Sequence, residues 1–195
     1  MPPVPVAFLL DPADVQILFA DLQPPIVARS RTNPPEALAC AAGVLAEIGA
    51  LFGLRMHFTV VPEGGRAPEL IPELARHVRP THLLPRLSAS PMLDEATRVA
   101  LSGTGRSTLL LCGAATEITV LHAACAAVHA GYRVYVPVDA CGGLSPRTED
   151  AAFRQIEAAG AVTTSVAGLV TALSPDFGKP PGTRAFEILQ TLLPR

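Results

Sequence analysis

Leu109–Thr119, LLLCGAATEIT, is an apolar run that ends in Gly113, turns through Ala114 and Ala115 and opens a helix at Thr116 and Glu117. Consecutive leucines suit a strand buried on both faces, the usual condition of a parallel sheet. A helix that begins where such a strand ends points its first backbone N–H groups at the strand exit, a place that favours an anion or a nucleophile. The residue closing the stretch, Thr119, therefore decides which chemistry the turn can support.

Similar strand-like runs lie at Val15–Ala20, Leu54–Val60, His82–Leu84, Ser107–Cys112, Arg133–Val138 and Ala161–Val166. Helical spacing predicts helices over Pro35–Phe52, Leu93–Leu101, Glu117–Ala130 and Arg147–Ala159. Strands alternating with helices predict an α/β fold, a parallel sheet covered on both faces. Right-handed crossovers then place the ligand crevice at the carboxyl ends of the strands, where the strand order reverses.

The 195 residues are read as a single domain spanning 1–195. An apolar fraction of 49% is high, but prolines and charges break every apolar run short of a bilayer span, so buried strands and a subunit interface are expected and a membrane is not. A formal net charge of −2 with scattered arginines gives no basic field for nucleic acid. The four cysteines, Cys40, Cys112, Cys125 and Cys141, form no CxxC pair, and MPPVPVAFLL lacks the basic start of a signal peptide, which points to a reduced cytoplasmic setting. No cofactor is expected: there is no GxGxxG after a strand and no phosphate-binding GxxxxGK[ST].

The 109–119 stretch closely resembles the active-site elbow of the isochorismatase-like cysteine hydrolases, a Gly-x-x-Thr-(Asp/Glu)-x-Cys-Val segment carrying the catalytic cysteine. Collinear matches are FADLQ (Phe19–Gln23), PRLSASPMLDEA (Pro85–Ala96), AGYRVYVPVDACG (Ala130–Gly142) and RTEDAAFRQIEAAGA (Arg147–Ala161). The resemblance is strongest to the small hydrolases of unknown substrate. It implies a three-layer αβα fold around an open six-stranded parallel sheet of order 3-2-1-4-5-6, with the ends of strands one and four side by side. It also implies a homo-oligomer acting on a small-molecule substrate. The segment 178–195 is expected to lie outside the core as an extension packing on a neighbouring subunit.

The resemblance makes Asp21, which directly follows a buried strand, the general acid/base; burial would raise its pKa and a neighbouring cation lower it. Arg86 stands where the family carries an essential Lys or Arg, able to orient Asp21 or a substrate oxygen through two N–H groups. Thr119 occupies the cysteine position, and a threonine hydroxyl stays protonated there without a strong base. Cys141 is the other conceivable nucleophile. The backbone N–H groups of Ala115 and Thr119 would form an oxyanion hole, with a cis peptide between Ala114 and Ala115. Nicotinamidases of the superfamily bind a metal through an Asp-x-His pair and a further His, but MHFTVVPEGG sets His57 inside a strand, so no metal is expected. Asp139 is expected to brace loops at the sheet edge, and Arg147 and Glu149 to start a helix. Leu22, Leu87, Met92 and Leu144 are expected to line a small crevice for a carboxylate or amide.

Three readings follow. The chain is a hydrolase without a cysteine nucleophile, as true isochorismatases are, with Asp21 moving the proton. Otherwise it is a silent member serving as a binding or assembly subunit, or an enzyme in which Asp21 activates Thr119.

Overall fold

The computed structural model of the protein describes residues 9–62 and 69–193. Most of the proline-rich head and the stretch from Glu63 to Pro68 lie outside the described residues. Parallel strands β1 (Val15–Ala20), β2 (Arg55–Val60), β3 (Leu83–Pro85), β4 (Thr108–Ala114), β5 (Arg133–Pro137), β6 (Cys141–Gly142) and β7 (Val162–Thr164) form one sheet of order β3-β2-β1-β4-β5-β7. The path is the expected one, with β7 as its sixth strand and the two-residue β6 added beside the end of β4. Every residue of β1 and β4 is buried, because both central strands are covered on both faces. Phe19 and Phe58 stack across β1 and β2 with ring centroids 5.1 Å apart.

The helices are α1 (Pro24–Val27), α2 (Pro35–Leu51), α3 (Pro72–Ala75), α4 (Glu95–Ser102), α5 (Leu121–His129), α6 (Pro146–Ala158), α7 (Val166–Leu173) and α8 (Gly182–Leu189). Side-chain caps fix three of their starts: Asp94 accepts from the Thr97 amide, Ser145 from Thr148 and Ser165 from Gly168. Each such cap contributes about 1 kcal/mol. Helix α2 packs against α3, α7 and α8, while α5 packs against α6. No helix among the described residues is long and apolar enough to cross a membrane.

The tail carries α8. Ala185, Ile188 and Leu189 of α8 are buried and belong to the same core as α2, so this segment is part of its own subunit's helical layer. Their i, i+3, i+4 spacing makes an apolar stripe, and α2, which is buried along most of its length, offers the surface that covers it. Helices α1, α3 and α7 were not anticipated. The first two are single turns begun by proline, and α7, VAGLVTAL, is apolar on too many sides to show a helical period.

Candidate active site

Strand β1 delivers Asp21 to the carboxyl end of the sheet. Its amide donates to the Thr59 carbonyl at 3.0 Å, continuing the ladder one step past β1, and its φ of +57° then turns the chain out of the strand. A left-handed conformation is tolerated by Asp better than by most residues. On the other side of β1, Gly113 pairs with Ala20, and a Cβ at Gly113 would overlap the Ala20 carbonyl. Glycine is therefore what lets the end of β4 come close enough for the next turn to face Asp21.

That turn holds a cis peptide between Ala114 and Ala115 and one π-helical turn, Thr116–Val120, before α5. It brings Thr119 onto the carboxylate. The Thr119 hydroxyl donates to Asp21 Oδ2 at 3.0 Å and accepts from Arg86 Nη2 at 3.1 Å. Arg86 Nη2 also forms an ion pair with Asp21 Oδ2, Arg86 Nη1 donates to the Ser88 carbonyl, and the Thr59 hydroxyl donates to Asp21 Oδ1 at 3.1 Å. Asp21, Arg86 and Thr119 are all buried. The three residues singled out in the sequence thus share one hydrogen-bonded cluster. Thr59 was missed, although its place at the end of the strand paired with β1 was the available signal.

Burial pushes the Asp21 carboxyl above its ordinary value, against the opposing pull of the Arg86 guanidinium and the Thr119 and Thr59 hydroxyls. Burial works the other way on Arg86, lowering it, with Asp21 and Asp94 opposing; an arginine keeps its charge across any physiological range. The Arg86 Nε is buried with no partner among the described residues.

Above this cluster lies a cavity of about 210 Å³. Asp21 and Thr119 form part of its wall with Ala114, Ala115, Ile118, Ile26, Arg29, Ser30 and the Gly142–Leu144 loop. The cavity is a space for a small molecule. Arg86 is not part of the wall. It sits behind Asp21, and its charge reaches a ligand through that carboxylate. Of the four apolar residues expected to line the crevice, Leu144 does; Leu22 and Met92 are buried away from it, and Leu87 is 86% exposed. The Leu22 result follows from β1 ending at Ala20, so that the side chain after Asp21 turns back into the core. Arg29, Ser30, Ile118 and the two glycines gave no signal in the sequence, since loops from three separate strand ends contribute them.

Ala115 lines the cavity, while the Thr119 N–H donates to the Ala115 carbonyl at 2.9 Å. Cys141 pairs with Gly113 inside the sheet, and burial drives its thiol, like that of Cys112, far above the ordinary value. Neither sulfur faces the cavity, so Cys141 is no substitute nucleophile. The remaining carboxylates brace the walls. Glu117 accepts from the Leu144 amide at 2.9 Å and the Thr148 hydroxyl at 2.6 Å; Glu149, buried, accepts from the Thr116 hydroxyl at 2.7 Å. Asp139 accepts from the Val166 amide at 2.9 Å and so holds the start of α7. Arg147 is exposed at the start of α6.

The Asp21 carboxyl and the buried Arg86 guanidinium thus meet at the junction of strands one and four, beside an elbow with a cis peptide. The isochorismatase domain profile matches residues 50–168. The chain belongs to the isochorismatase family. The probable hydrolase YcaC of Escherichia coli (strain K12) is 27% identical over 169 residues, covering 86% of this chain and 81% of that protein. The structure of YcaC from Pseudomonas aeruginosa, with hexane-2,5-diol and covalent acrylamide, superposes with a TM-score of 0.87 at 28% identity, over 95% of this chain and 92% of that one. Escherichia coli YcaC, an octameric hydrolase of unknown specificity, gives a TM-score of 0.83 at 25% identity, over 94% and 88% of the two chains. This isochorismatase-family member therefore stands among YcaC-like relatives.

Proposed function

We propose that the protein is an isochorismatase-family hydrolase of a small molecule that works without a cysteine nucleophile. The observation that carries the reading is the Asp21 carboxyl exposed to the cavity on one side and held by Arg86, Thr119 and Thr59 on the other. Burial that raises this carboxyl suits a group that must give up a proton and then recover it. In this scheme Asp21 protonates the leaving atom and takes the proton back from the attacking water. Arg86 fixes the orientation of the acid and stabilises its charged form between steps. In this scheme the elbow offers the Ala115 N–H to the oxygen that gains charge, the Thr119 N–H being committed to the Ala115 carbonyl. The Thr119 hydroxyl is a hydrogen-bond donor to Asp21, not the attacking group. The purified protein is expected to cleave members of a panel of small amides, esters and vinyl ethers. Asp21→Asn should lower kcat by about 100-fold or more, and turnover that persists undiminished in that variant would remove Asp21 from the mechanism.

One observation favours a second reading. Both oxygens of Asp21 already accept from the protein's own side chains, which also suits a silent member kept for binding or assembly. Hydrolysis of any panel substrate by pure protein separates the two. Under either reading we place the protein in a homo-oligomer, as Escherichia coli YcaC is octameric.

A further inference from the structure

The polar inventory of the cavity is short. Its wall carries one carboxylate, Asp21, and one cation, Arg29; the rest is Ser30, Thr119, backbone and the apolar side chains Ile26, Ile118, Leu144 and the two alanines. The negative charge of Asp21 is cancelled from behind by Arg86, which contributes nothing to the wall. The charge of Arg29 is not cancelled: among the described residues its side chain has no carboxylate or carbonyl partner. A ligand entering this space therefore meets a net positive field from one guanidinium above mostly apolar walls.

The backbone that carries Arg29 is anchored. Successive turn bonds run from Ala28 N to the Pro24 carbonyl, from Arg29 N to Ile26 and from Ser30 N to Val27, each at 3.0 Å. The next residues are stitched to the opposite rim of the cavity. Arg31 N donates to the Gly143 carbonyl at 2.8 Å, Gly143 N to the Thr32 hydroxyl at 2.9 Å, and the Asn33 amide to the carbonyls of Val138 and Cys141 at 2.9 and 2.7 Å. Ser30 is itself committed, its hydroxyl donating to the Asn33 carbonyl at 2.6 Å. The network fixes the Cα of Arg29 at the mouth while its five N–H donors take no partner among the described residues, a planar fork that matches a carboxylate.

We propose that Arg29 is the anion-binding residue of this cavity, and that the ligand is a small carboxylate: a single anionic group paired with the Arg29 guanidinium and a short apolar body against Ile26, Ile118 and Leu144. The assignment rests on the cavity being the substrate site of the proposed hydrolase and names its substrate class, a carboxylate-bearing molecule whose reacting bond lies toward Asp21. The anion is recognised at the rim and the chemistry occurs at the floor, so the two groups belong to opposite ends of the substrate.

Isosteric probes test this without any knowledge of the natural substrate. Butyrate and butyramide have the same heavy-atom skeleton and differ by one charge. In the wild-type protein, titration by ligand-observed NMR should show butyrate binding tighter than butyramide by about tenfold or more, the scale of a hydrogen-bonded charge pair. In Arg29→Gln the preference should collapse to within about twofold, and Arg29→Lys should restore part of it. Because the Arg29 side chain is exposed and makes no hydrogen bond or ion pair among the described residues, both variants are expected to keep the wild-type melting temperature. Equal binding of the two probes by wild type, or an undiminished preference in Arg29→Gln, overturns the proposal. Turnover separates it from the hydrolase reading. A neutral amide cleaved as efficiently as its carboxylate-bearing analogue overturns the anion site and leaves the hydrolase standing. An Arg29-dependent butyrate preference in a protein that cleaves nothing keeps the anion site and overturns the hydrolase.

Discussion

The Thr119 hydroxyl is bonded to Asp21 and Arg86, the groups that would serve a nucleophile at the elbow. A carboxylate is too weak a base to ionise an alcohol appreciably, so the contact orients Asp21 and does not generate an alkoxide. Thr119→Ala removes two hydrogen bonds to charged partners and should lower the rate on any panel substrate by about tenfold to 100-fold; a fall of about 10⁴-fold or more would make the threonine a nucleophile. Thr119→Cys tests the pocket from the other direction. A thiol placed at the cavity wall at the start of a helix should be alkylated by acrylamide, read by mass spectrometry of tryptic peptides, before the buried Cys112 and Cys141 react. Arg86 belongs to the same scale. Arg86→Met strands the Asp21 carboxyl without its counter-ion and should cost about 3 to 5 kcal/mol in urea unfolding, with part of the loss recovered in the double variant with Asp21→Asn. Independent, additive effects would mean the two side chains are not energetically coupled.

At the scale of the element, β2 is the strand whose two halves meet different surroundings. Its last three residues pair with β3, while Arg55, Met56 and His57 have β1 alone as a neighbour. His57 is buried just where the outer strand stops, and neither ring nitrogen has a partner among the described residues. Burial, with His82 and Arg55 adding like charge, pushes its pKa down to about 4. An imidazole kept neutral in the fold binds fewer protons than the same group in the unfolded chain between about pH 4 and 6.5, so stability must fall as pH drops through that window. The loss from this residue alone amounts to about 3 kcal/mol at its lower edge. Replacing His57 by Leu should flatten the stability profile between those pH values in thermal or urea unfolding, and an unchanged acid slope would show that the ring is already solvated. The strand itself was legible in the sequence to within one residue. Its lost outer partner was not, because the shortness of β3 depends on where the chain after α3 can reach the sheet.

For the whole molecule, the apolar surplus noted in the sequence is mostly consumed inside the subunit, the apolar stripe of α8 included. What remains outside is concentrated around α4 and the segment before it, where Leu87, Leu93 and Val99 are 86%, 68% and 62% exposed. Covering such side chains would contribute about 25 cal/mol per Å² of apolar surface removed from water. Sedimentation of the purified protein is expected to give an assembly larger than a monomer, and Leu87→Asp with Leu93→Asp to shift it toward smaller species. A wild-type protein that sediments as a monomer at micromolar concentration would end the expectation of self-association.

The sequence by itself determined the alternation of strands and helices, the elbow after β4 and the identity of Asp21, Arg86 and Thr119, because local periodicity and a few collinear motifs carry that information along the chain. Only the tertiary structure decided what stands around them. Thr59 reaches Asp21 through strand pairing, Arg86 lies behind the acid instead of in the cavity, Leu22 turns inward, and Arg29 comes to the rim through bonds between two distant loops. Each of these depends on contacts between residues far apart in sequence, which register, side-chain direction and loop closure fix in three dimensions and no local pattern encodes.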